Sequence, residues 1–267
     1  MTIFDRLNAK RPWTEEECLV LDQVTRVAED LIAPAAAAYD KSGDYPETSM
    51  AALNELGMNS IFVPEAYGGA LMSYRLYLEC VSIISAACAS TGIIYATNFH
   101  GMKPLIDLGT EEQKTRLLPR ISEGGQGSLA ITEPSAGSDA TGMKTRFTPD
   151  GDEIIIDGSK TFISNGDRAE LILLFGKWSE IENPRQAISV LVLERGAPGF
   201  ETGRKEQKMG HRAATTVPLL FDGCRVPRAN LLGEPGDGLK ILLSSLNKSR
   251  PSVAAHALGI ARAAFAD

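Results

Sequence analysis

The hydrophobic spacing of this chain changes period twice, and that change limits what it can fold into. Residues 14–124 place apolar side chains at helical spacing. Residues 129–221 carry short β-branched runs broken by Gly, Pro and Asn, and helical spacing returns at Gly238. Separate blocks in this order predict an α+β protein, not alternating βαβ units. The expected layout is an N-terminal all-α domain over 1–124, a middle β-barrel-like domain over 125–236, and the start of a C-terminal helical bundle over 237–267.

Thr14-Glu15-Glu16-Glu17 is a capping box ahead of Leu21, Val24, Val27, Ala28 and Leu31, and Pro34 is expected to bend or restart that helix. Ala35-Ala36-Ala37-Ala38 reads as helix. A second helix is expected near 49–56, stopped by Gly57. Residues 75–89 are apolar around most of a helical circumference and are expected to be buried. Thr110-Glu111-Glu112-Gln113 is another capping box, for a helix ending near Gly124. Further on, Glu153-Ile154-Ile155-Ile156, Asp157-Gly158 and Lys160-Thr161-Phe162-Ile163-Ser164 read as strand, tight turn, strand, because Asp-Gly between apolar runs is a strong hairpin signal. Residues 171–175, 187–193 and 217–221 are further β candidates. Gly125-Gln126-Gly127-Ser128-Leu129-Ala130 fits G-x-G-x-x-A, but a dinucleotide fingerprint needs a strand before it and a helix after it. Here a helix precedes and strand-like Leu129-Ala130-Ile131-Thr132 follows, so the segment reads as a turn entering a strand.

The balance of 27 basic against 34 acidic residues, with no Lys/Arg-rich run, argues against a nucleic-acid partner. Cys18, Cys80, Cys88 and Cys224 form no C-x-x-C pair, and His100, His211 and His256 are far apart in sequence. No metal site is expected, and a reducing, cytoplasmic compartment is. No apolar run reaches the roughly 18 residues of a membrane span, and residues 1–6 have no signal-peptide apolar region. Residues 256–267 read as a helix in progress with no closing Gly or Pro, so the expectation is that a further piece belongs after it.

One segment is chemically dense. Ala130-Ile131-Thr132-Glu133-Pro134-Ser135-Ala136-Gly137-Ser138-Asp139-Ala140-Thr141-Gly142 passes from an apolar run into hydroxyls, glycines and two acids. It resembles the signature of the acyl-CoA dehydrogenase family, whose strand end and loop hold the FAD ring and the pantetheine arm of a thioester. Lys160-Thr161-Phe162-Ile163-Ser164-Asn165-Gly166 resembles that family's second flavin segment, with Phe162 where Trp is frequent. Lys208-Met209-Gly210-His211-Arg212, Phe221-Asp222-Gly223-Cys224-Arg225-Val226-Pro227 and Asn230-Leu231-Leu232-Gly233 resemble its domain-closing β segments. Asn247-Lys248-Ser249-Arg250-Pro251 resembles the start of its long helix. The resemblance covers almost the whole chain.

It implies FAD as cofactor and α,β-dehydrogenation of an acyl-CoA thioester, with a carboxylate taking the α proton and the β hydride passing to flavin N5. The implied cofactor-binding set is Leu129, Ala130, Ile131, Thr132, Ser138, Phe162, Ile163 and Ser164. Ile131 and Thr132 would offer an N–H and a hydroxyl to the pyrimidine edge, Phe162 an N–H towards O4, and Ser164 a hydroxyl at N5. Such donors suit a ring that gains negative charge on reduction. Thr132 and Ser164 could instead be strand hydroxyls satisfied locally. Ser138 would bond the pantetheine or the adenosine end, and Asn247 and Arg250 are implied for substrate, with a salt bridge to the bundle as the other reading of Arg250. Glu133 is read as a loop acid capping nearby N–H groups. No catalytic base is carried over: at one of the family's two positions this chain has Ser249, and the other lies in a bundle it does not contain, as does the Arg-x-x-Phe-Gly pyrophosphate segment. His211 is read as a surface turn residue and His100 as a helix-end histidine. The family further implies a homotetramer and electron-transfer flavoprotein as acceptor. The competing reading is a non-catalytic or partner-dependent subunit, or a truncated homologue of the same fold.

Overall fold

The computed structural model describes residues 12–266. The readings of residues 1–6 and of Asp267 lie outside the described residues.

Helix α1 (Glu15–Val27) starts at the expected capping box: the Thr14 hydroxyl accepts from Glu17 N–H while Glu17 accepts from Thr14 N–H, each at 3.1 Å. A π-helical turn, Ala28–Ile32, carries the chain into α2 (Ala33–Ser42), so Pro34 restarts the helix as its missing N–H requires. Next come α3 (Glu47–Glu55), α4 (Tyr74–Ala87), α5 (Ala89–Leu108) and α6 (Glu111–Ser122), the last opened by the Thr110 box. α4 is buried as expected, and its Tyr77 packs with Phe62, Tyr74, Tyr95 and Phe99.

Seven strands follow: β1 (Gly127–Ala130), β2 (Arg146–Asp150), β3 (Glu153–Ser164), β4 (Leu171–Trp178), β5 (Ile188–Glu194), β6 (Phe200–Thr202) and β7 (Thr216–Pro227). They form one curled sheet in the order β1-β4-β2-β3-β7-β6, with β5 on the other edge of β4. β1 and β2 both run parallel to β4, and the remaining pairs are antiparallel. Alternate residues of β4 face opposite ways. Leu171, Leu173 and Phe175 join the helical core, while Ile172 and Leu174 join the β core with Phe147, Ile156 and Val217. Burial on both faces explains the near-continuous apolar runs of β4 and β5. The α+β expectation holds: helices, a curled sheet, then the helix α7 (Gly238–Ala266).

The sequence reading of Asp157-Gly158 as a turn was mistaken. β3 runs unbroken through it, and the tight turn is at Gly151, between β2 and β3. Gly158 marks a bulge: the β3–β7 register shifts there, its φ is +141°, and a Cβ would sit 2.7 Å from Thr145 Cα. Glycine is needed for close approach, not for reversal. Residues 247–251 also differ from expectation. They lie mid-way along α7, which continues through Pro251.

α7 packs along α4 and α5 through small and polar residues, with Ser245, Ser249, Ser252, His256 and Gly259 buried. β1 meets α5 closely, main chain against main chain at Gly101. At Gly127 a Cβ would stand 2.6 Å from Met102 Cε and 3.0 Å from the Asn98 carbonyl, and at Gly101 it would run into the Ser128 main chain.

Candidate functional site

Two segments distant in sequence are tied side by side. Past the end of β1, the Thr132 carbonyl accepts from Thr161 N–H of β3 at 2.8 Å. Beneath that bond lies Lys160, with its side chain fully buried. Its ammonium donates to the Ile131 carbonyl at 3.0 Å and to Glu133 Oε1 at 2.7 Å. Glu133 is itself 5 % exposed and also accepts Lys144 N–H and Thr145 N–H (2.9 Å for the latter). Burial pushes the Glu133 carboxyl up, but Lys160 and these donors outweigh it and hold it below the usual carboxylate range. Burial lowers the Lys160 ammonium, and the Glu133 charge opposes that. Glu133 does cap N–H groups, as expected, but across the loop, and its main partner is a buried lysine.

This staple presents an open polar edge. Alternation along β1 sends Ala130 into the β core, while half-buried Leu129 and Ile131 lie against the helical core. On β3, Ile163 is buried and Phe162 is 63 % exposed. Phe162 lies within the register irregularity opposite β7 and has φ +58°, a conformation rarely adopted by a residue with a Cβ. Thr132 and Ser164 are half-buried. Their hydroxyls, and the N–H groups of Ile131 and Thr132, make no hydrogen bond among the described residues, so the local-satisfaction reading does not hold. Ser164 instead offers its carbonyl, which accepts from the Ser128 hydroxyl at 2.6 Å. The chain then turns at Asn165, φ +58°, whose side chain donates to Thr97 Oγ1 at 2.9 Å and whose N–H donates to the Thr215 carbonyl at 3.1 Å.

The remaining sequence-derived residues are not gathered here. Ser138 is exposed on the 134–142 loop, which Asp139 orders by accepting from both N–H and hydroxyl of Thr141. Arg250 and Asn247 are exposed on α7, and their side chains bond to each other at 3.0 Å. Ser249 is buried, and its hydroxyl donates to the Leu246 carbonyl at 3.2 Å. Two histidine readings are corrected. His100 is buried in the middle of α5, with Nε2 2.6 Å from Ser252 Oγ. His211 does sit in a turn, at φ +50°, but is half-buried with Nε2 2.8 Å from His256 Nε2. Sequence reasoning also missed the roles of Lys160 and Asn165. A lysine inside an otherwise apolar strand was the available signal for the first.

Among the described residues no three His, Cys, Asp or Glu side chains could hold a metal, and no helix is long and apolar enough to cross a membrane. The family model for the acyl-CoA dehydrogenase N-terminal domain matches residues 14–125, and that for the middle domain matches residues 128–224. The chain belongs to the acyl-CoA dehydrogenase family. It is 37 % identical to an acyl-CoA dehydrogenase of Bacillus subtilis over 254 residues, covering 94 % of this chain and 67 % of the relative. Butyryl-CoA dehydrogenase of Megasphaera elsdenii superposes with TM-score 0.90 at 34 % identity, over 95 % of this chain and 68 % of that one. A chain in a structure of the electron transferring flavoprotein of Acidaminococcus fermentans superposes with TM-score 0.92 at 37 % identity, over 96 % and 68 %. This acyl-CoA dehydrogenase homologue therefore spans about two thirds of the length of the relatives it matches.

Proposed function

We propose that this chain forms the ring-holding part of an FAD-dependent acyl-CoA dehydrogenase that removes an α proton and a β hydride from an acyl thioester. The observation that carries this reading is the polar edge, where Thr132 and Ser164 present unpaired hydroxyls on two segments joined by the Thr161–Thr132 bond. When bound, FAD supplies the hydride acceptor. Ile131 and Thr132 would direct an N–H and a hydroxyl to its pyrimidine edge, Phe162 its main-chain N–H, and Ser164 its hydroxyl beside the reacting nitrogen. Lys160 and Glu133 hold the two segments in register without touching cofactor. Ala130 and Ile163 contribute through the main chain, since their side chains are core. Ser138, Asn247 and Arg250 would meet the thioester's distal groups. The proton-abstracting carboxylate is not assigned to this chain. Names of relatives support an acyl-CoA substrate and an electron-transferring flavoprotein acceptor. The described cysteines are free, three of them buried, which suits a reducing cytoplasm.

Titration of the chain with FAD, followed by flavin fluorescence, tests this. Stoichiometric quenching that is lost in Thr132→Val with Ser164→Ala is the expected result. Binding that survives the double substitution refutes the edge as the ring site. A second reading, a partner-dependent subunit, is favoured by buried Ser249 at the base position and by exposed Leu243, Val253 and Phe265 on α7. It predicts flavin uptake only when a partner chain is added.

A further inference from the structure

We propose that His256 and His211 form a proton-operated latch, which ties the 203–215 loop to α7 while the pair holds at most one extra proton and opens when both rings are charged. The hydrogen bonds fix where each proton sits. The Ser85 hydroxyl of α4 donates to the Val81 carbonyl at 2.6 Å, so its oxygen must accept from His256 Nδ1 at 2.8 Å. Neutral His256 then has a bare Nε2, and the only proton available for the 2.8 Å contact between the rings is that on His211 Nε2. A proton added to His211 goes to Nδ1 and leaves this bond intact. A proton added to His256 gives the same bonded pair, because His211 then keeps its own proton on Nδ1 and accepts at Nε2; only when both rings are charged do two N–H groups stand nose to nose, and the rings must part. The two rings together are therefore the sensor, and their shared bond is the catch.

The surroundings oppose a second charge on the closed pair. His256 is 5 % exposed, and burial, then the His211 ring, lower its pKa to about 4. The charged groups facing the pair are Lys208 on the loop and Asp40 on α2, and they act on His211 in opposite senses after burial has lowered it. From α4 the ring meets only the neutral Ser85. The next charges along the α4–α7 seam are Glu79 and Arg262, which pair at 2.8 Å. An open cavity of about 330 Å³, lined in part by Asp40, Cys88 and His211, gives the proton a path to the pair.

The latch reaches the polar edge through the main chain. Beyond His211 the loop anchors by Ala213 N–H to Ser90 Oγ at 3.3 Å, and its end supplies the Thr215 carbonyl to Asn165 and the Thr216 partner of Ser164.

Hydrogen–deuterium exchange of the chain at pH 7.5 and pH 5.0, corrected for intrinsic rates, tests the idea. A closed pair that holds only one extra proton, against two on the free rings that each titrate near 6.5, makes closure about 30-fold less favourable at pH 5. Protection of peptides from the 203–215 loop should fall by that factor in the wild type, while peptides of α4 and β4 keep theirs. In H256Q the pH effect on the loop should vanish, and in H211A the loop should be equally open at both pH values. A loop whose protection does not change in the wild type, an undiminished fall in H256Q, or an equal fall in α4 and β4 would each overturn the latch.

Discussion

Replacing Lys160 with Met probes the staple beneath the polar edge. Methionine keeps the length and apolar stem but removes the ammonium. That strands Glu133, 5 % exposed, with a charge answered only by two N–H donors, and removes the Ile131 carbonyl's donor. Breaking one side of a buried pair costs about 3–5 kcal/mol, because the remaining charge is uncompensated. For a chain of this size that is a fall in Tm of about 10 °C. Adding Glu133→Gln removes the stranded charge and keeps an oxygen for one of the two N–H donors, so the double variant should recover part of the loss. Urea denaturation followed by circular dichroism gives the free energies of wild type, K160M and the double variant. If K160M lies within about 1 kcal/mol of wild type, or the double variant is no more stable than K160M, the pair is not the staple described here.

Phe162→Gly should leave stability within about 1 kcal/mol of wild type in thermal melts. The side chain is largely exposed, and relief of the left-handed strain offsets glycine's entropy; a loss above 2 kcal/mol would mean the ring packs more than its exposure indicates. Gly259→Ala should destabilise by about 1–3 kcal/mol, since a Cβ there runs into the Ser82 carbonyl and α7 must lift off α4. Gly137→Ala, with open space around it, serves as the neutral control in the same melts. Acid should also weaken the fold through His100, which burial holds down to about 4. The unfolded chain then binds the extra proton, so this stability is complete above pH ~6.5 and is lost as pH falls towards 4. It amounts to about 3 kcal/mol, and His100→Asn should flatten that part of a stability–pH curve.

What could be read from the chain followed how local the causes are. Both capping boxes and the restart at Pro34 depend on residues within one turn, and both took the expected form. Asp157-Gly158 has the same local look as a hairpin, but its role is set by Thr145 pressing on it and by the ladder with β7. Neither is visible at that spacing. The edge residues Thr132 and Ser164 were legible from motif resemblance, whereas their unpaired state depends on which neighbours the fold brings near. The pairing of His211 with His256 joins residues 45 apart through a loop conformation, and no periodicity announces it. Arg250 was named from its motif position, and its hydrogen bond to Asn247, one helical turn away, is again a local feature.

Gly101, where α5 crosses β1, leaves the helix and strand backbones with nothing soft between them. A side chain can change rotamer and absorb a shift of its neighbour; two backbones in contact cannot. Asn98 pins the junction further, its Oδ1 accepting Gly127 N–H at 2.6 Å. A sideways displacement of α5 must therefore arrive undamped at the strand end three residues on, where Ile131 and Thr132 begin the polar edge. Whatever leans on that helix steers the edge, as a tiller moves a rudder.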